Sequence, residues 1–142
     1  MVILDAYALV ALLADEPAAA EVEALIRERA AAISAVNLAE SFDVSERALG
    51  APGDRVRAVV EPLLAGELEV LDCTARAAWR AASLRSRYYD RRELPLSLAD
   101  CFLLAAAGDE DEITTADPAV AAVARAEGID LVALPDGSGK RP

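Results

Sequence analysis

Five short apolar runs separated by helical stretches restrict the fold of this 142-residue chain more than any other feature. The runs are Val2-Ile-Leu4, Ala32-Ile-Ser34, Leu68-Glu-Val-Leu71, Glu112-Ile-Thr114 and Asp130-Leu-Val-Ala133. Helical patterns occupy Ala6–Ala14, Pro17 to about Ala30, about Val36 to Leu49, Asp54 to about Ala65, Thr74 to about Tyr88, Ser97–Ala107 and Pro118–Glu127. Strands that alternate with helices build crossover units, so the spacing predicts an α/β domain with a parallel sheet and helices on both faces. A chain of this length supports one substantial core. The expected organisation is one domain over residues 1–134, followed by a flexible tail over 135–142 that contains Asp136-Gly-Ser-Gly-Lys-Arg-Pro142.

Acidic residues sit at the ends of these elements. Asp5 follows the first strand directly, and Asp117 follows the fourth after Thr115-Ala116. In open parallel sheets ligands collect beyond the carboxyl ends of the strands, so both stand at the expected rim. Asp100 falls in the first turn of the helix Ser97–Ala107, and Glu40 lies inside a helix beside apolar Leu38, Ala39 and Phe42. Helix capping offers an ordinary role for three of the four. Asp5 precedes Ala6, Asp117 precedes Pro118, and Ser97-x-x-Asp100 has the spacing of a capping box. Glu40 has no such role and no cation at helical spacing. Capping and a shared acidic site are compatible, because a helix N-terminus favours an adjacent carboxylate and so offsets repulsion within a cluster.

The chain contains no histidine, which excludes Ser-His-Asp chemistry, a histidine base and His-ligated zinc. Clustered oxygen ligands without nitrogen or sulfur suit Mg²⁺ or Mn²⁺. Cys73 and Cys101 form no CxxC pair, as expected of two thiols in a reducing cytoplasm. The first residues lack the basic start of a secretory peptide, and Ala6–Ala14 is too short to span a bilayer. A net charge of −11 opposes nucleic-acid binding. Nucleic acid must therefore be held by a local arginine cluster, a bound cation or a second subunit.

Four segments in order carry a resemblance: Val2-Ile-Leu-Asp5-Ala-Tyr-Ala-Leu9, Ile33-Ser-Ala-Val-Asn-Leu-Ala-Glu40, Leu96-Ser-Leu-Ala-Asp100-Cys-Phe-Leu-Leu-Ala105 and Ile113-Thr-Thr-Ala-Asp117. Together they resemble a PIN-domain ribonuclease, and most of all the VapC toxins of type II toxin–antitoxin modules, over Met1 to about Ala133. The resemblance implies a PIN-like domain whose five-stranded parallel sheet is flanked by helices. It implies Asp5 and Asp100 as direct Mg²⁺ or Mn²⁺ ligands, with Glu40 and Asp117 completing the cluster. It also implies Thr115, Asn37 and Ser97 as polar supports. The implied activity is hydrolysis of RNA. The implied partners are a second copy of the chain and an antitoxin, whose peptide covers an apolar groove and extends an arginine into the acidic pocket. Where the family often places Ser or Asn two residues after its first Asp, this chain has Tyr7, which either offers a hydroxyl or narrows the pocket.

Arg76, Arg80 and Arg87 share one helical face and are candidate RNA contacts; their alternative is a solvated stripe over a buried Trp79. Apolar residues of Ala6–Ala14 and Val22–Ile26 either line the antitoxin groove or belong to the core. Two rival activities lose on inspection. A receiver-type phosphoacceptor needs a lysine near its aspartate, and the only lysine is Lys140. A haloacid-dehalogenase-like enzyme needs Asp where Tyr7 stands. The remaining alternative is a catalytically weak or inactive PIN-like module that binds RNA or a protein partner without cleaving it.

Overall fold

The computed structural model describes residues Met1–Pro142. The strands are β1 (Val2–Leu4), β2 (Ala31–Ser34), β3 (Leu68–Leu71), β4 (Glu112–Thr115) and β5 (Asp130–Ala133). The helices are α1 (Ala6–Ala14), α2 (Ala19–Glu28), α3 (Ala35–Asp43), α4 (Gly53–Gly66), α5 (Ala75–Tyr88), α6 (Leu98–Ala106) and α7 (Pro118–Glu127). All strand pairs are parallel, in the order β3-β2-β1-β4-β5. This is the expected five-stranded α/β sheet. The chain builds outward from β1 to β3, then crosses back to place β4 on the other side of β1. The reversal puts a topological switch point between β1 and β4, where the crossovers diverge and leave a crevice at the strand ends.

Alternation along the strands divides the core into two layers. Ile3 and Ile113 point to one face, where they pack with Leu84 of α5, Leu103 of α6 and Val120 of α7. Val2, Leu4 and Ile33 point to the other, against Leu9 of α1, Val22 and Ile26 of α2, and Val56 and Val60 of α4. Ala6, Ala8, Leu9, Val10, Ala11, Val22 and Ile26 are all buried, which places them in the core. The end of the same segment, Leu12 and Leu13, lines an apolar groove with Leu49, Pro52 and Val59.

Three local departures from the sequence expectation have physical causes. Asp15 ends α1 in the left-handed region at φ 53°, a conformation that a short polar side chain tolerates better than most. Pro17 and Ala18 then form a turn closed by the Ala19 N–H to the Glu16 carbonyl at 2.8 Å, so α2 begins two residues after Pro17. The helix expected over about Val36–Leu49 is α-helical only to Asp43, and Val44–Ala48 forms a π-helical turn. On α5, Ala81 and Leu84 are buried, while Trp79 is 79% exposed and Ala75, Ala78 and Ala82 are exposed beside it. The face expected to cover the core therefore points to solvent, because α5 packs its Ala77-Ala81-Leu84-Tyr88 side inward.

Residues 135–142 fold back on the body. Arg141 pairs with Glu21 of α2 at 2.7 Å and donates to the Ala133 carbonyl. No helix is long and apolar enough to cross a membrane.

Candidate active site

A cavity of about 430 Å³ opens at the switch point, and Asp5, Glu40, Asp100 and Asp117 all line it. Four segments far apart in sequence deliver them: the end of β1, the middle of α3, the first turn of α6 and the start of α7.

Asp5 occupies the N-cap position of α1, yet its side chain caps nothing. Its Oδ2 accepts the Thr115 hydroxyl at 2.8 Å, and its backbone N–H donates to Thr114 Oγ1 at 3.1 Å. Thr115 Oγ1 also accepts the Asp117 N–H at 3.0 Å, so one buried hydroxyl fixes both ends of the β1–β4 crevice. Asp117 does cap its helix, accepting the Ala119 N–H at 2.6 Å. The capping box of α6 is complete: Ser97 Oγ accepts the Asp100 N–H at 3.0 Å, and Asp100 Oδ2 accepts the Ser97 N–H at 2.6 Å. Asn37 is fully buried and braces the floor. Its Oδ1 accepts the Ser34 hydroxyl at 2.5 Å and its Nδ2 donates to the Ala99 carbonyl at 3.2 Å, tying the helix of Glu40 to the helix of Asp100.

Burial raises the Asp5 pKa to about 7; the Thr115 hydrogen bond pulls it down, and the charges of Asp100 and Glu40 push it up. Glu40 is raised by burial and then by Asp100 and Asp43. Asp100 is also raised by burial, against the Ser97 hydrogen bonds that lower it, with Asp117 pushing up and Arg85 pulling down. No lysine or arginine lines the cavity. Buried like charges without a counter-cation are costly, and an ion of opposite charge relieves that cost most directly.

The donor set therefore has the chemistry of a hard divalent cation site. Its side chains are nevertheless not drawn together: no three acidic groups converge closely enough to hold one ion among them. The hydrogen bonds explain the spread. Asp5, Asp100 and Asp117 each spend one oxygen on a threonine hydroxyl or a helix N-terminus, and mutual repulsion favours separation. Each keeps a second oxygen free of hydrogen bonds to the protein.

The structure also locates the other sequence candidates. None of Arg76, Arg80 and Arg87 lines the carboxylate cavity. Arg80 donates to the carbonyls of Ala105 and Ala107 at the end of α6, at 3.3 and 2.6 Å. Arg87 pairs with Glu127 at 2.7 Å, and Arg76 lines a separate cavity beside Cys73 and Arg80. Three residues of the site had no sequence signal singling them out. Thr114 holds the Asp5 amide, Arg85 stands near Asp100 while donating to the Leu96 carbonyl at 2.5 Å, and Asp136 lines the cavity wall.

The fold is similar to that of solved toxin–antitoxin proteins. Against the DNA-bound VapBC of Salmonella typhimurium the TM-score is 0.68 at 25% identity, covering 92% of this chain and 96% of that one. Against VapBC2 of Rickettsia felis, bound to a promoter DNA fragment, it is 0.67 at 18% identity, covering 93% and 98%. Against VapC20 of Mycobacterium tuberculosis, a toxin that cleaves the sarcin–ricin loop, it is 0.58 at 20% identity, covering 91% and 85%. No curated protein matches the chain by sequence. The PIN domain family profile matches residues 2–136. By that match over nearly its whole length, and by a fold shared with VapC proteins, this chain belongs to the PIN domain family.

Proposed function

We propose that the protein is a divalent-metal-dependent endoribonuclease and the toxin of a toxin–antitoxin pair. The observation that carries this reading is that Asp5, Glu40, Asp100 and Asp117 all line one cavity at the switch point, with no lysine or arginine among its lining residues. Asp5 and Asp100, the two most enclosed carboxylates, would hold Mg²⁺ or Mn²⁺, with Glu40 and Asp117 completing the set. A bound divalent ion supplies charge neutralisation for the scissile phosphate and acidifies water for in-line attack. Thr115 keeps Asp5 Oδ2 and the Asp117 amide in register. The free oxygen of Asp117, or the carboxylate of Glu40, orients the attacking water and accepts its proton. No histidine or lysine stands in the cavity to compete for that role.

The toxin–antitoxin character of the solved proteins that share this fold supports an antitoxin as partner. The groove of Leu12, Leu13, Leu49, Pro52 and Val59 is an apolar surface at the end of α1 that an antitoxin peptide would cover. A second copy of the chain would cover the exposed Trp79 on α5, the most exposed of the chain's large apolar side chains.

The test is a digest of single-stranded RNA by the purified protein with Mg²⁺, with Mn²⁺ and with EDTA, alongside Asp5→Asn and Asp100→Asn. Cleavage by the wild type in either metal, abolished by EDTA and by each substitution, is the expected result. Cleavage by either variant at the wild-type rate refutes the site. Binding of RNA with no cleavage in any metal supports the alternative, a PIN module that binds without cutting.

A further inference from the structure

Tyr7 lines the carboxylate cavity, and its hydroxyl is committed to Glu16 and the Pro135 carbonyl rather than to the four inner carboxylates. The phenol oxygen lies 3.0 Å from Glu16 Oε2 and 3.0 Å from the Pro135 carbonyl, so one proton is shared between two acceptors. Both acceptors are carboxylate or carbonyl oxygens, so the hydroxyl acts here as a donor. Glu16 is presented by the left-handed Asp15 turn, and its carboxylate rests against the backbone of Gly137. A Cβ at Gly137 would lie 3.2 Å from Glu16 Oε2, so a larger residue would press on this contact.

The segment after Pro135 is pinned a second time by Arg141 on Glu21. Between the two anchors Asp136 closes a tight turn. Its Oδ1 accepts three hydrogen bonds, from Ser138 N–H at 2.8 Å, Ser138 Oγ at 2.6 Å and Lys140 N–H at 3.0 Å. Its Oδ2 accepts none from the protein, and the residue lines the carboxylate cavity. Asp136 differs from Asp5, Glu40 and Asp100, which burial raises. The Ser138 hydroxyl, then backbone N–H groups, hold it below the usual carboxylate range, so it is ionised and purely an acceptor.

We propose that residues 135–141 form a fixed rim of the cavity on which Asp136 accepts a hydrogen bond from an uncharged donor of the bound nucleotide, with Tyr7 as the positioning residue that holds the rim. The inference rests on the ribonuclease reading and names a specificity-determining contact within that site. A carboxylate repels phosphate, so the group it faces is a neutral N–H or O–H. On a ribonucleotide the available donors are the ribose 2′-hydroxyl and the base amino or imino groups.

The chemistry of Asp136→Asn makes the test sharp. The three loop donors keep the amide oxygen, which turns the new NH₂ toward the cavity and sets donor against donor. Tyr7→Phe keeps the ring and removes only the shared proton. Both variants and the wild type are compared by fluorescence anisotropy in Ca²⁺, using a short single-stranded RNA, its DNA counterpart and an RNA series varied at one base. Mn²⁺ affinity is titrated in parallel.

Each variant is expected to lose about tenfold in RNA affinity, the range of a hydrogen bond to a charged group, with Mn²⁺ affinity unchanged. A loss that disappears with DNA assigns the donor to the 2′-hydroxyl, and one that follows base identity assigns it to the base edge. Wild-type or tighter binding of every oligonucleotide by Asp136→Asn overturns the contact. Wild-type binding by Tyr7→Phe overturns the positioning role. Should the wild-type protein bind RNA yet cleave nothing, the nuclease reading fails while these affinity ratios still decide the rim.

Discussion

Replacing Asp5 by asparagine removes a charge from the most enclosed carboxylate of the cavity, and the fold dictates an unusual result: the variant gains stability. The folded Asp5 pKa is about 7 against an ordinary 3.8, because burial and the charges of Asp100 and Glu40 outweigh the Thr115 hydrogen bond. Below pH 3.8 folded and unfolded chains both hold the proton, and the carboxyl costs nothing. Between 3.8 and about 7 the folded chain retains a proton that the unfolded chain has released, so stability falls as pH rises. Above 7 both are ionised and the loss is complete. At about 1.36 kcal/mol per pH unit, the gap amounts to about 4 kcal/mol. Asparagine keeps an acceptor for the Thr115 hydroxyl and avoids this loss. Urea unfolding in EDTA should therefore show the two proteins equally stable near pH 4 and Asp5→Asn more stable by up to about 4 kcal/mol at pH 8. Adding Mg²⁺ at about 100 times its Kd should stabilise the wild type by about 2.7 kcal/mol and leave the variant unmoved. A variant less stable than wild type at pH 8 in EDTA, or a difference that does not change with pH, would refute the reasoning.

Thr115→Val leaves the Asp117 N–H without its acceptor and frees Asp5 Oδ2, so unfolding free energy should fall by about 1–3 kcal/mol and Mn²⁺ affinity should drop with it. Thermal unfolding and a Mn²⁺ titration check this, and an unchanged affinity would remove Thr115 from the site. Asn37→Leu breaks the tie from α3 to α6 inside the core, and should cost about 1–3 kcal/mol with loss of RNA cleavage. Full activity would show that Glu40 and Asp100 need no brace. Arg80→Gln strips two carbonyls at the end of α6 of their donor, so it should lower the unfolding midpoint while leaving the salt dependence of RNA binding as in wild type. A shallower salt slope would return Arg80 to the RNA face. Trp79→Asp should leave the monomer's unfolding midpoint unchanged, because the indole is 79% exposed, and should reduce self-association measured by light scattering. Unaltered mass across concentrations would dismiss the α5 face as the dimer contact.

The strands were legible because buried parallel strands are short, apolar and bounded by turn residues, and all five lie within a residue of where the pattern puts them. Asp5 and Asp117 were legible for a related reason: a residue that follows a strand in an α/β sheet has few places to go except the rim. Glu40 and Asp100, on helices, stood out as site residues only through the ordered segments that carry the family resemblance. Position alone could not say whether Asp5 caps α1 or faces a cavity. Thr115, some 110 residues away, decides that by taking its Oδ2. The orientation of α5 was hidden by alanine, which occurs on both sides of the helix. Ala75-Ala78-Ala82 looks as apolar as Ala77-Ala81, and only the packing against α6 chooses between them. The π-helical turn after α3 adds no residue type that marks it. Asp136 sits in a stretch whose Gly and Ser spell a loop, and its place at the cavity depends on Tyr7, 128 residues before Pro135.

The central claim is that four carboxylates from separate segments bind one kind of ion together. Mn²⁺ binding followed by electron paramagnetic resonance at pH 8, on the wild type and on single Asp5→Asn, Glu40→Gln, Asp100→Asn and Asp117→Asn variants, tests it without reference to catalysis. The account predicts saturable binding by the wild type, loss of it in Asp5→Asn and Asp100→Asn, and weakening in the other two. Binding of equal strength in all five proteins would contradict it.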